Sequence, residues 1–125
     1  MFRFIDGMSP NVLAIEATGK VTHEDYQNTL IPRVEAMLAK RPIRMLYVIG
    51  KDFTGFELEA LWDDGNLGLK HWRDFSHVAV VADQAWLRAA VNMFTPFFHG
   101  EVRMFGLSQL PAAKDWITDR QRAAG

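Results

Sequence analysis

The apolar positions of the chain fall into short runs of strand character, separated by stretches whose apolar residues recur at helical spacing. Phe2-Arg3-Phe4-Ile5 predicts a short strand, stopped by Asp6-Gly7 and by the Ser9-Pro10-Asn11 turn. Val12 to Val21 predicts a second strand, and the short connection makes the two an antiparallel pair. Ile43-Arg44-Met45-Leu46-Tyr47-Val48-Ile49 is almost continuously apolar, the pattern of a strand buried on both faces. His77-Val78-Ala79-Val80-Val81-Ala82 repeats that pattern. Glu101-Val102-Arg103-Met104-Phe105 alternates instead, as an edge strand with one wet face does.

Between the strands the period changes. Thr22 reads as an N-cap, with Asp25 placed to complete a capping box and Glu24 suited to the positive helix end. The helix then runs to about Lys40 and aligns Tyr26, Leu30, Val34, Met37 and Leu38 on one face. Pro32 inside it removes the bond to the Asn28 carbonyl, which predicts a kink or a broken first turn. A second helix is predicted from Phe56 to Phe75. In it Leu58, Leu61, Trp62, Gly65, Gly68, Leu69 and Trp72 share an arc of roughly 120°. Asp83 is placed to cap a third helix, from Gln84 to about Thr95. Pro111 suits the first turn of a closing helix that turns Ala113, Trp116 and Ile117 inward, with a frayed end from Arg120 to Gly125.

A hairpin followed by βα units predicts an α/β fold. It has a mixed sheet of about five strands with a β-hairpin start, right-handed crossovers and about four helices, in one domain over residues 1–125. No internal repeat, linker or low-complexity segment interrupts it.

Composition narrows the function. The net charge is −1, from 14 basic and 15 acidic residues, so no basic surface is implied for nucleic acid. There is no cysteine, which removes disulfides, thiolate catalysis and cysteine metal sites and favours a cytoplasmic home. No signal peptide is visible at the start, and no apolar stretch approaches the ~18 residues that span a bilayer. Peripheral membrane contact stays open. Nine Phe, four Trp and six Met are a large bulky apolar content for so short a chain.

Several blocks resemble the STAS domain, and more closely its SpoIIAA-like branch, sometimes described as STAS/SEC14-like. They are Ala14-Ile15-Glu16-Ala17-Thr18-Gly19-Lys20-Val21-Thr22-His23-Glu24-Asp25-Tyr26, Leu30-Ile31-Pro32, Asp52-Phe53-Thr54-Gly55-Phe56, Trp62-Asp63-Asp64 and Gly68-Leu69-Lys70-His71. Gly100 to Phe105 and Ala113-Lys114-Asp115-Trp116 complete the match. The resemblance implies a small non-enzymatic protein that binds an apolar or lipid-like ligand and touches membranes, often as a dimer. It also implies a relation to anti-sigma factor antagonists, which are switched by phosphorylation in an Asp-Ser-Ser/Thr-Gly turn. Here that turn is Asp52-Phe53-Thr54-Gly55; Phe53 stands at the usual phosphorylated position and accepts no phosphate, while Thr54 keeps a hydroxyl one place later.

The turn after the buried strand lies where open α/β sheets place ligands. It reads either as a ligand-facing loop, with Phe53 and Phe56 as an apolar lip and Thr54 as a polar contact, or as helix initiation capped by Thr54 or Asp52. The third helix carries an excess. Trp86, Leu87, Ala89, Ala90, Val91, Met93, Phe94 and Phe97 or Phe98 cover an arc of roughly 200°, where one sheet face needs little more than about 100°. Each phenylalanine left wet forgoes about 1.5–3 kcal/mol of burial. The excess meets either the second helix with its Trp62 and Trp72, or a partner chain, an apolar ligand or a membrane. Gly65 and Gly68 permit close packing or soften the second helix over a cavity.

Catalytic and metal chemistry find little support. Asp63, Asp64, Lys70 and His71 read as a solvated helix face, and His23, His77 and His99 have no ligand spacing. Gly50 and Gly55 are followed by Phe56 rather than lysine, which removes a phosphate-binding loop. The expected protein is therefore a non-enzymatic binder with no cofactor and no metal. Its ligand site would be formed by Phe53, Thr54, Phe56, Trp62, Trp72, Phe94, Phe97 and Phe98. The expected partners are an apolar or lipid-like small molecule and a second copy of the chain. The alternative is a regulatory protein-interaction module of the anti-sigma factor antagonist kind.

Overall fold

The computed structural model describes residues 1–40, 42–57, 74–98 and 100–118. Five strands form the main sheet: β1 (Phe2–Phe4), β2 (Val12–Ala17), β4 (Ile43–Ile49), β6 (Phe75–Val81) and β7 (Glu101–Phe105), adjacent in that order. β1 and β2 pair antiparallel, with Phe2 opposite Ala17, whereas β2, β4, β6 and β7 are parallel neighbours. Two further strands, β3 (Lys20–Val21) and β5 (Gly55–Phe56), pair with each other in a separate parallel ribbon. Among the described residues the α-helices are α1 (His23–Asp25), α2 (Ile31–Met37), α3 (Ala85–Phe94) and α4 (Leu110–Thr118).

Alternation along the strands builds two cores. On the first face Leu13, Ile15, Ala17, Ile43, Met45, Ile49 and Val80 are buried with Tyr26, Leu30, Val34 and Met37 of the first helical run and Leu87 of α3. On the second face Val12, Ala14, Leu46, Val48, Ala79, Val81 and Phe105 are buried under Ala113 and Ile117 of α4. The near-continuous apolar runs of β4 and β6 thus reflect burial on both sides.

The first helical run begins as the sequence predicts. The Thr22 hydroxyl accepts from the Asp25 N–H at 3.2 Å, and the Asp25 carboxylate accepts from the Thr22 N–H at 2.9 Å, a closed capping box. The break expected around Pro32 is a wide π-type turn, Tyr26–Leu30, in which the Ile31 N–H reaches back to the Tyr26 carbonyl. Pro32 follows in the first turn of α2, so the irregular turn falls where the bond to the Asn28 carbonyl is missing. The run ends in a tight 3-10 turn at Leu38–Lys40.

Several boundaries differ from the sequence reading. The second strand stops at Ala17, because Gly19 takes a left-handed φ of 56° and redirects the chain. Lys20 and Val21 then find Gly55 and Phe56 as partners. The second helix, expected over 56–75, is not borne out at its two end residues: Phe56 lies in β5 and Phe75 opens β6 opposite Ile43. The rest of that expectation lies outside the described residues, with Leu58, Leu61, Trp62, Asp63, Asp64, Gly65, Gly68, Leu69, Lys70, His71 and Trp72. Asp83 does not cap α3. Gln84 holds that position without a side-chain cap bond, and the Asp83 carboxylate accepts instead from the Leu107 N–H at 2.9 Å. Long-range docking of the loop after β7 has taken the carboxylate that local capping would have used.

Candidate ligand-binding site

The turn after β4 is fixed by backbone pairing. The Gly50 N–H donates to the Ala17 carbonyl at 3.0 Å, Thr54 to Gly19 at 2.8 Å and Glu57 to Val21 at 2.7 Å. These bonds clasp the loop after β2 to the loop after β4 at the carboxyl ends of both strands. The Glu57 carboxylate also accepts from the His23 N–H at 3.1 Å, so the clasp reaches the N-terminus of α1. Gly55 permits the geometry with a φ of 141°. The turn therefore opens a strand, and the helix-initiation alternative does not hold at Gly55 and Phe56.

The clasp sets the aromatic lip. The rings of Phe53 and Phe56 meet edge to face with centroids 5.0 Å apart, and both half-buried side chains pack on the first core. Thr54 is exposed beside them. Close by in that core, Phe2 meets Tyr26 and Tyr47 edge to face at 5.1 and 6.0 Å, and the two tyrosine hydroxyls lie 3.4 Å apart. This aromatic group was not anticipated, since its members come from three distant segments and share no spacing.

Helix α3 buries only part of its apolar surface. Leu87 is buried and Val91 packs on the first core, but Trp86 is 57% and Met93 74% exposed. Ala85 and Ala89 are exposed as well. Arg88, the helix's only charged residue, donates from Nη1 to the Ala82 carbonyl at 3.0 Å. The side-chain oxygen of Gln84, at the head of the helix, is buried without a hydrogen-bond partner.

The expected site residues are divided along the sheet. Phe53, Thr54 and Phe56 follow the carboxyl end of β4. Phe98 packs on the same core but at the opposite end, near the start of β6 and β7. There Gly100 is so close to the Ser76 carbonyl that an added Cβ would collide with it, and would stand 2.9 Å from the Phe98 ring. The seven residues of β6 separate the two ends by roughly 20 Å. Phe94 closes α3 and Phe97 lies in the 3-10 turn Thr95–Phe97, though their side chains fall outside what is described. Trp62 and Trp72 lie outside the described residues.

The second face carries a polar row that the sequence reading missed. Arg44, His77 and Glu101 stand opposite one another on β4, β6 and β7. Arg44 Nη1 lies 2.9 Å from His77 Nδ1, and His77 Nε2 lies 3.0 Å from a Glu101 oxygen. Since a guanidinium only donates, Nδ1 accepts and Nε2–H donates to the carboxylate. Ser76 Oγ is also 2.8 Å from Nδ1. Arg44 further donates to the Trp116 carbonyl at 3.2 Å and to the Ile117 carbonyl, which ties the last turn of α4 to the sheet. The Trp116 ring lies 5.5 Å from His77 and 5.1 Å from the Arg103 guanidinium above it. The available signal was an arginine and a histidine, each standing on one face of an otherwise apolar strand.

The Asp25 carboxylate is shifted. Burial raises the pKa of Asp25, but hydrogen bonds from the Thr22 backbone, the amino group of Met1 and the Thr22 hydroxyl outweigh it and hold the group below 3.8. The amino group lies 3.0 Å from the carboxylate. Among the described residues no three potential metal ligands cluster, and no helix is long and apolar enough to cross a membrane.

A mixed sheet opened by a hairpin, with helical crossovers on one face and a closing helix on the other, defines a STAS-like α/β domain. The sequence matches the SpoIIAA-like family over residues 12–118, and the chain belongs to that family. It is similar to a solved structure of an uncharacterized DUF3478-family protein with a SpoIIAA-like fold from Shewanella loihica PV-4. The two are 32% identical, with 93% of each chain covered and a TM-score of 0.76. No curated protein matches.

Proposed function

We propose that this chain is a non-enzymatic binding domain for an elongated apolar or lipid-like small molecule. It works in the cytoplasm as a homodimer, with peripheral contact to membrane surfaces. The observation that carries this reading is the uncovered apolar flank of α3, where Trp86 and Met93 stand in water above a core that also holds Phe53, Phe56 and Phe98. The ligand would lie along this helix. The Phe53–Phe56 pair would gate one end and Phe98 would stand at the other; Phe94, Phe97, Trp62 and Trp72 remain candidate contacts from the sequence. Thr54 offers a polar contact at the mouth, and the unpartnered oxygen of Gln84 is a buried acceptor for a donor on the ligand.

Native mass spectrometry and lipid extraction of the purified protein test this directly. A bound lipid-like mass is expected, together with a tryptophan fluorescence change on adding fatty acids or liposomes that Trp86→Phe reduces. No co-purifying ligand and no fluorescence change would sink the reading.

A second reading, a regulatory module of the anti-sigma factor antagonist kind, is favoured by the exposure of Thr54 on a turn a kinase could reach. It expects phosphate on Thr54 and a stable complex with a kinase-like partner. A native-lysate pull-down without a specific partner, and an unphosphorylated Thr54, would remove it.

A further inference from the structure

The two edges of the sheet differ. β1 is three residues long, whereas β7 runs for five, from Glu101 to Phe105. Among the described strands β7 pairs with β6 alone, so one row of its backbone N–H and C=O groups faces outward. Its side chains alternate between exposed and half-buried until Phe105. Edge strands are commonly protected by charges that repel a second strand. Here the charges are opposite: Glu101 and Arg103 project from one face of β7, with Val102 between them on the other.

The geometry points to this edge as the docking strand for a second copy of the chain, paired antiparallel about Val102. In that register Glu101 stands opposite the second copy's Arg103, and the two-fold axis repeats the pair in reverse. Val102 meets its own equivalent, and Met104 falls opposite Gly100, which presents no side chain. Pairing about Arg103 would instead set two guanidinium groups against each other, so the charges select one register.

The monomer leaves both groups available. Glu101 is 60% exposed and gives His77 only one of its oxygens. Arg103 is exposed, and its guanidinium lies over the Trp116 ring rather than against a carboxylate. Docking would extend the Arg44–His77–Glu101 row by one cation, into the second copy. It would also leave the apolar flank of α3 uncovered for a ligand. A five-residue edge is short beside a standard interface, so the dimer belongs to the weak, concentration-dependent class.

This inference rests on the homodimer of the proposed function but not on its ligand, and the test reads assembly alone. Sedimentation equilibrium at low salt, from micromolar to millimolar protein, should show a monomer–dimer equilibrium that salt weakens. Glu101→Arg and Arg103→Glu should each weaken it by about tenfold or more, because each places like charges opposite one another twice. The double variant Glu101→Arg/Arg103→Glu should restore the dimer, since the pairs are then reversed but complementary. Arg103→Glu keeps the His77–Glu101 contact, so it stays informative should Glu101→Arg lower the thermal midpoint. A monomeric wild type at every concentration overturns the proposal and leaves the edge to an extended segment of another protein. A dimer indifferent to the single reversals, or lost on Trp86→Ala, overturns it in favour of α3. Ligand binding, read by mass, is unaffected by any of these results.

Discussion

On the first face of the sheet, Leu30, Val34 and Leu87 are buried under helices that still leave Trp86 and Met93 in water; on the second, α4 buries Ala113 and Ile117 and has its last turn held by Arg44. The first face has more apolar side chain than the described parts of the fold cover. The second has less, and is closed by directional contacts: guanidinium to carbonyl, guanidinium to imidazole, imidazole to carboxylate. Apolar contact is non-directional and can exchange one occupant for another. A hydrogen-bonded contact is directional, and a part-buried donor or acceptor such as those of Arg44 and His77 loses free energy when its partner is removed. The difference puts non-directional apolar contact on the first face and directional contact on the second.

That contrast can be broken most sharply at Ile117, which is fully buried on the second face. Ile117→Ala should cost about 2–5 kcal/mol, read by urea denaturation, whereas a loss under about 1 kcal/mol would mean that α4 does not seal that face. Arg44→Met keeps the bulk of the side chain but leaves two α4 carbonyls without their donor and His77 Nδ1 with the Ser76 hydroxyl. A loss of about 1–3 kcal/mol is expected, with faster amide exchange in the last turn of α4.

On the first face the helical run is held at its start by the capping box, and Asp25→Ala should cost about 1 kcal/mol at neutral pH. The sign of the pH dependence follows from the depressed pKa. The carboxylate's contribution is fully present above its unfolded value of 3.8 and is lost as pH falls through the lower folded value. The gap between wild type and Asp25→Ala should therefore be constant near neutrality and close in acid; a gap unchanged into acid would deny the carboxylate its role. The smallest effect on stability belongs to Trp86→Ala, within about 0.5 kcal/mol, because the side chain stands mostly in water. The same variant should lose most of the response to liposomes. A large destabilisation would show that Trp86 holds the fold rather than a ligand.

The strands and their apolar faces were legible because alternation and continuous apolar runs report burial directly. β4 and the edge character of β7 both came out of the pattern, as did the capping box at Thr22, a local device complete within four residues. The β3–β5 ribbon was not legible. Two-residue strands carry no period, and Lys20 finds Gly55 only after β2 and β4 are in register. For the same reason Asp83 was read as a cap: the competing N–H of Leu107 is distant in sequence and adjacent only in space. The eight candidate site residues share apolar bulk or a turn position. Turn position does bring Phe53 and Phe56 into contact. It did not foresee that Phe98 would sit a strand's length away from them.

The sequence by itself determined the α/β class, the hairpin start, the succession of the main strands along the chain and the surplus of apolar surface on the third helix, since each is written in periodicity over a contiguous segment. Only the tertiary structure decided which residues become neighbours across strands: the clasp around Gly55, the tyrosine pair at Tyr26 and Tyr47, and the row from Arg44 through His77 to Glu101. Each depends on strand register, and register is set by the packing of the whole sheet rather than by any one of its strands.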